Sequence, residues 1–313
     1  MKKYWLLALV LIAQLSFAIA QVDADGPVYL FAYFKNNGQD GLHLAFSYDG
    51  FKWTALKNDS SFLTPAAGKD KLMRDPCIVR GAKGVFHMVW TVSWNEKGIG
   101  YASSKDLVHW SEQQYIPVME HEDSALNCWA PEIYYEIDKQ RYMIYWATTI
   151  PGRFPKGDST GDNKYNHRLY YVTTKDFKTF SKARLLYDQG FNVIDATIIR
   201  RGRKYAMFLK DETRYPPQKN IRIAYSDKLA EGYGKPTAPI TGNYWAEGPT
   251  VLKQGNGVLV YFDKYREHQY GVVASDDMQY WKDLSFKLSL PNGIRHGTVI
   301  TITQKELQTL LKE

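Results

Sequence analysis

Asp75, Asp195 and Glu247 fall in three short phrases that resemble one another: "RDPCI" (74–78), "IDATI" (194–198) and "EGPTV" (247–251). Two more copies, "APEI" (130–133) and "RHGTV" (295–299), complete the set. Counting three residues back from the apolar landmarks Ile78, Ile133, Ile198, Val251 and Val299 gives Asp75, Ala130, Asp195, Gly248 and His296, with Glu247 one place before Gly248. Each acid alone reads as a turn-capping residue. Brought into one cavity, three carboxylates repel one another and lose hydration, which raises at least one carboxyl pKa. Function is then the better reading. Cleavage of a glycosidic bond needs such a set: a protonated carboxyl for the leaving oxygen and an ionised one for water or the anomeric carbon.

A second recurring phrase shows what could bring the acids together. "GLHLAFSYDGFKW" (41–53), "GIGYASSKDLVHW" (98–110), "RLYYVTTKDFKTF" (168–180), "IRIAYSDKLAEGY" (221–233) and "YGVVASDDMQYW" (270–281) are each an alternating strand, then Ser or Thr near an Asp, then an aromatic. Aligning Asp49, Asp106, Asp176, Asp227 and Asp276 gives intervals of 57, 70, 51 and 49, while the apolar landmarks of the first phrase are 55, 65, 53 and 48 apart. That period is one propeller blade of about four short strands. The chain starts mid-blade with "VYLFAYF" and ends on an opening phrase that lacks its later strands. The expected fold is therefore all-β: a five-bladed β-propeller whose N-terminal strands complete the C-terminal blade, closing the ring and removing an open edge. The innermost strands then carry the five short phrases around one funnel. Residues 151–167, in the longest interval, read as an exposed loop, and "TQKELQTLLKE" as a short terminal helix.

Residues 1–20, with two lysines, an apolar run and an Ala-x-Ala ending, read as a secretory signal peptide. A single domain is expected over 21–313, secreted or periplasmic. No later stretch reaches the ~18 to 20 apolar residues of a membrane span. Removing Lys2 and Lys3 takes the formal charge from +7 to +5. This modest excess, with no Lys/Arg block, argues against nucleic acid as a partner. Cys77 and Cys128 start apolar segments and read as two buried thiols, with one disulfide as the alternative. Aromatics make up 15% of the chain, with nine Trp and twenty-three Tyr. They suit strands and also stack on sugar rings, so an oligo- or polysaccharide is the natural partner. Trp94, Trp129 and Trp245 lie near the funnel positions and read as substrate-binding walls; Trp53, Trp110 and Trp281 end the blade phrases and read as core.

The ordered set Asp75-Pro76, Trp129-Ala130-Pro131-Glu132, Ile194-Asp195, Glu247-Gly248-Pro249 and His296-Gly297 resembles glycoside hydrolase family 43, over essentially all of 21–313. The resemblance implies an inverting enzyme in which Asp75 is the general base, Glu247 the general acid, and Asp195 the residue that orients the acid and tunes its pKa. It points to an exo-acting α-L-arabinofuranosidase on plant polysaccharide side chains, with β-xylosidase, exo-β-galactosidase and a non-catalytic sugar-binding propeller as alternatives. This chain has Asp195-Ala196 where the family often has Asp-Pro, and more than fifty residues precede its base. "MRDP" (73–76) also resembles a motif of a neighbouring family of retaining fructosidases, but the Asn-Asp-Pro phrase expected there is missing. Arg295 and His296 are candidate substrate-binding residues. No cofactor is required; calcium near His296 would be structural, since a single His is a poor site for a hard cation. Lys210, Asp211 and Glu212 are candidates to reach the funnel, and Glu132 is the rival base.

Overall fold

The computed structural model describes residues 26–155 and 160–313. The expected leader over 1–20 lies outside them, as do residues 156–159 of the expected loop.

Nineteen strands make five antiparallel sheets among the described residues. β1 (Val28–Lys35), β2 (His43–Ser47) and β3 (Thr54–Ala55) come first. The next sheet holds β4 (Arg74–Arg80), β5 (Phe86–Thr91), β6 (Ile99–Ser104) and β7 (Gln114–Ile116). It is followed by β8 (Trp129–Glu136), β9 (Arg141–Thr149), β10 (His167–Thr174) and β11 (Arg184–Tyr187). A three-stranded sheet of β12 (Val193–Arg201), β13 (Lys204–Asp211) and β14 (Asn220–Ser226) comes next. β15 (Glu247–Gln254), β16 (Gly257–Lys264), β17 (Gln269–Ser275) and β18 (Lys282–Asp283) form the fifth. β19 (Ile294–Ile302) then returns to the first sheet, pairing antiparallel with β1 from Val28↔Ile302 to Tyr33↔Gly297. The expected five-bladed ring and its closure are both present. The inner strands β4, β8, β12, β15 and β19 each touch the next, around a full circle.

Blades have little interior of their own, so the core lies between them. Five apolar clusters fill the five junctions, for example Ala32, Leu44, Met88 and Trp90 between the closing blade and its successor. A strand packed on both faces loses its alternation, and all six residues of β5 are buried. The high aromatic content is used largely here: Phe31, Trp53, Tyr261 and Tyr270 meet edge-on across one junction, with Phe31 5.4 Å from Trp53 and 5.6 Å from Tyr270.

The Ser/Thr–Asp pair of the second phrase closes the turn after the third strand of a blade. Asp49 Oδ1 accepts the amides of Phe51 and Lys52 at 2.7 and 2.8 Å, and Ser47 Oγ accepts that of Gly50. Asp106 and Asp176 repeat this. In the last copy the capping acid is Asp277 rather than Asp276, two residues after Ser275 as in the earlier copies. In the fourth, the place two after Ser226 is Lys228, and Ser226 Oγ instead donates to the carbonyl of Glu231. Cys77 and Cys128 are buried free thiols. α1 (Gln304–Leu310) follows β19, started by a capping box between Thr303 and Glu306.

Candidate active site

The repeated phrase is a repeated β-bulge. β4, β8, β12 and β15 break register against their partners between Arg74 and Cys77, Trp129 and Glu132, Ile194 and Thr197, and Glu247 and Thr250. At those breaks Asp75, Ala130, Asp195 and Gly248 have φ of 53°, 46°, 50° and 59°. The left-handed region costs an L-residue on the order of 1–3 kcal/mol. Only the fourth copy has glycine at this place, and there a Cβ would come 2.3 Å from the His296 ring. β19 breaks register as well, its three steps from Ile294 to Gly297 facing two on β1 from Lys35 to Tyr33, and His296 there is not among the residues with positive φ.

A bulge re-aims side chains, so two successive residues of an inner strand reach the same space instead of alternating. The residues before the bulge (Arg74, Trp129, Ile194, Glu247) and Arg295 line one cavity of about 360 Å³, and so do Asp75, Asp195 and His296. Trp94 and Trp245 complete its aromatic walls. The three expected acids, the three expected tryptophan walls, Arg295 and His296 thus open onto one space.

The charges there are ordered by contact. Burial opposes ionisation of Asp75, but the hydrogen bond and charge of His296, with help from Arg74 and Thr91, push its carboxyl down to about 2. His296 Nδ1 lies 3.3 Å from Asp75 Oδ1 and 4.0 Å from Asp195 Oδ2. Burial works against the imidazolium, and these carboxylates outweigh it, raising His296 to about 9. Thr91 Oγ1 donates to Asp75 Oδ2 at 2.8 Å and accepts the amide of Ala130 at 2.8 Å, tying the base to the next blade.

Asp195 goes the other way. Burial raises it to about 7 against the pull of His296, and the Glu247 charge adds to the rise. Its Oδ2 accepts the Gly248 amide at 3.0 Å. Glu247 is partly buried, and desolvation works against its charge, but Lys210 Nζ at 2.9 Å and the Arg295 guanidinium at 3.4 Å hold its carboxyl below the usual range. The expected rise in a carboxyl pKa is present, and it falls on Asp195.

Lys210 and Glu212 reach the cavity, while Asp211 turns away to pair with Arg222 at 3.2 Å. Glu132 is not among the lining residues. It is held between β8 and β12 by Thr197 Oγ1 at 2.9 Å and Tyr145 Oη at 3.3 Å, and burial raises it to about 7. Sequence reading missed Arg74, Lys219 and Tyr265. Arg74 was detectable, since it occupies the same place in its copy as Glu247 and Arg295 do in theirs. Its guanidinium sits 4.7 Å from the centre of Phe34 and 4.2 Å from that of Trp94, with Nη1 donating to Asn37 Oδ1 at 3.0 Å. Trp94 in turn meets Trp129 edge-on at 5.4 Å. Among the described residues no three His, Cys, Asp or Glu side chains are grouped to hold a metal ion. Around His296 the donor set suits calcium poorly, because the ring is itself the cation among the acids.

The family described as "Probable glycosyl hydrolase domain", a group related to glycoside hydrolase family 43, matches residues 26–308. A curated alpha-L-arabinofuranosidase from Bifidobacterium longum subsp. longum is 24% identical over 188 residues. The match takes in 52% of this chain but only 17% of that relative's length. The GH43 BlXynB protein from Bacillus licheniformis superposes with a TM-score of 0.51 at 21% identity, over 67% of this chain and 41% of the other. An alpha-L-arabinofuranosidase from Lactobacillus brevis gives 0.51 at 18% identity, over 68% and 72%. Structural likeness at these identities speaks to the fold.

Proposed function

The chain belongs to the probable glycosyl hydrolase family related to glycoside hydrolase family 43, and from that membership we propose that it is an exported, inverting, exo-acting α-L-arabinofuranosidase. The observation that carries the reading is the convergence of Asp75, Asp195 and Glu247, from three blades, on one aromatic-walled cavity. Asp75, ionised through His296, takes a proton from water as it attacks the anomeric carbon. Glu247 delivers a proton to the leaving oxygen. Asp195 and Glu247 feel each other's charge, so the pair titrates as a unit. Its proton is held mainly on Asp195 in the free protein and passes to the leaving oxygen through Glu247 once substrate displaces the cations from it. Trp94, Trp129 and Trp245 offer apolar faces to sugar rings, and Arg295 and His296 hold hydroxyls.

Nitrophenyl α-L-arabinofuranoside, β-xyloside and β-galactoside test the reading. Release from the first alone is expected; release from another names a different sugar, and release from none overturns the hydrolase. NMR of the first-formed anomer separates inversion from retention.

The cations on Glu247 favour a second reading, a sugar-binding propeller without turnover. Glu247→Gln separates the two: lost hydrolysis with retained affinity supports the enzyme, and equal loss of both supports the binding role.

A further inference from the structure

A second cavity adjoins the central one. It has a volume of about 340 Å³, and Tyr265 and Arg295 line both. Its remaining wall comes from the end of β16 (Asp263), the turn and start of β17 (His268, Gln269, Tyr270), Ser285 and the segment 288–295 that leads into β19. Glu247 starts β15, β16 runs antiparallel to it, and Asp263 pairs with Glu247. Asp263 in turn pairs with Tyr270, and Ile294 starts the next inner strand. These chain ends all belong to the mouth that carries the acids, so the two cavities open side by side.

The lining is two-faced. Leu288, Leu290 and Pro291 make an apolar wall, while Gln269, Asn292 and Asp263 supply donors and acceptors. That is the surface a sugar ring asks for: an apolar face to lie against and partners for hydroxyls around its edge. Tyr270 is 8% exposed, and its hydroxyl has no hydrogen-bond partner among the described residues. Buried polar groups seldom stay unpaired unless a ligand or water completes them. Arg295, the shared wall, is fixed on both sides: Nε donates to Asp263 Oδ2 at 2.6 Å and Nη2 to Glu247 Oε1 at 3.4 Å. An occupant of the second cavity therefore rests on the same guanidinium that faces the acid.

We propose that this cavity is a second sugar subsite, which takes the neutral sugar unit next to the one held among Asp75, Asp195 and Glu247. The inference rests on the hydrolase reading for the choice of sugar as ligand, but its test needs no turnover. A neutral unit fits because the cavity's one guanidinium is already paired with Asp263. The substrate is then an oligosaccharide chain rather than a lone sugar on an arbitrary aglycone.

The experiment is calorimetric binding of arabinotriose, xylotriose and β-1,3-galactotriose, each against its monosaccharide, to protein carrying Glu247→Gln so that nothing is cleaved. At least one trisaccharide should bind ten or more times tighter than its monosaccharide. Asn292 and Gln269 are exposed lining residues from two different segments, the lead into β19 and the start of β17. Asn292→Trp and Gln269→Trp, each added separately, should each fill it and cut that ratio at least tenfold. Thermal melting checks that both variants fold. A trisaccharide preference that survives either variant, or its absence from the parent protein for all three sugars, overturns the subsite. Neither outcome bears on whether the wild-type protein cleaves a nitrophenyl sugar, so the two readings fail separately.

Discussion

His296 Nδ1 stands 3.3 Å from Asp75 Oδ1 across the first and last of the five repeated phrases. The contact joins β4 to β19, 221 residues apart in sequence, and it fixes both charges: the acid ionised, the imidazole protonated.

His296→Gln should therefore move the acidic limb of the kcat/KM profile upward by at least one pH unit. Asp75 is held at about 2 largely by this ring, and without it burial pushes the carboxyl back up. An unmoved limb in the variant would mean that Asp75 is not the base.

The same pair links stability to pH. The His296 pKa is raised from 6.5 to about 9 in the folded chain. Its contribution is fully present below about 6.5 and is lost as pH rises through 9, roughly 3 kcal/mol in all by linkage. Melting at pH 6 and pH 10 should show this loss in the wild type and not in His296→Gln.

Lys210→Met removes the ammonium between Glu247 and Glu212. With Arg295 alone beside it, the Glu247 carboxyl should titrate higher, and the alkaline limb of the activity profile should move up. Stability should fall by about 3 kcal/mol, because two partly buried acids lose their buried partner. The pH profile separates tuning of the acid from simple damage, which lowers activity at every pH alike.

Asp75→Asn and Glu132→Gln distinguish the base from its rival. Removing a general base costs on the order of 10² to 10⁴ in rate, and Asp75→Asn should fall in that range, with melting also lowered near neutral pH because the buried His296 ring loses its main ionic partner. Glu132 bonds only to protein groups of neighbouring strands, so Glu132→Gln should keep turnover within about threefold. Steady-state kinetics of the two variants decides the assignment.

Gly297→Ala tests the closing seam. A Cβ there would lie 1.9 Å from the carbonyl oxygen of Ala32 on β1. Substituting it should lower stability by about 2 kcal/mol or more, read by chemical unfolding. An unchanged midpoint would mean that β1 and β19 are not paired in this register.

The ring, its closure and the inner-strand acids were legible because they repeat: five copies of two phrases reveal a geometry that no single copy carries. The left-handed bulge was not legible. Asp75, Ala130, Asp195 and Gly248 share a backbone conformation but no residue type, and only the glycine hints at positive φ. For the same reason Arg74 escaped notice, since strand alternation would send it away from a cavity holding Asp75. The misplaced Asp276 has a simpler cause: "SDD" offers two acids, and only the two-residue spacing from Ser275 selects Asp277. The proton's place on Asp195 was out of reach, because it depends on Lys210 arriving from β13 to charge Glu247 instead.

The seam between β1 and β19 also orders events during synthesis. β1 emerges from the ribosome early and meets its partner only after the other four sheets have been made, so its unpaired edge waits through most of translation. Cellular factors that shield exposed strands would act on that interval, and a chain released before residue 294 would have no way to finish its first blade.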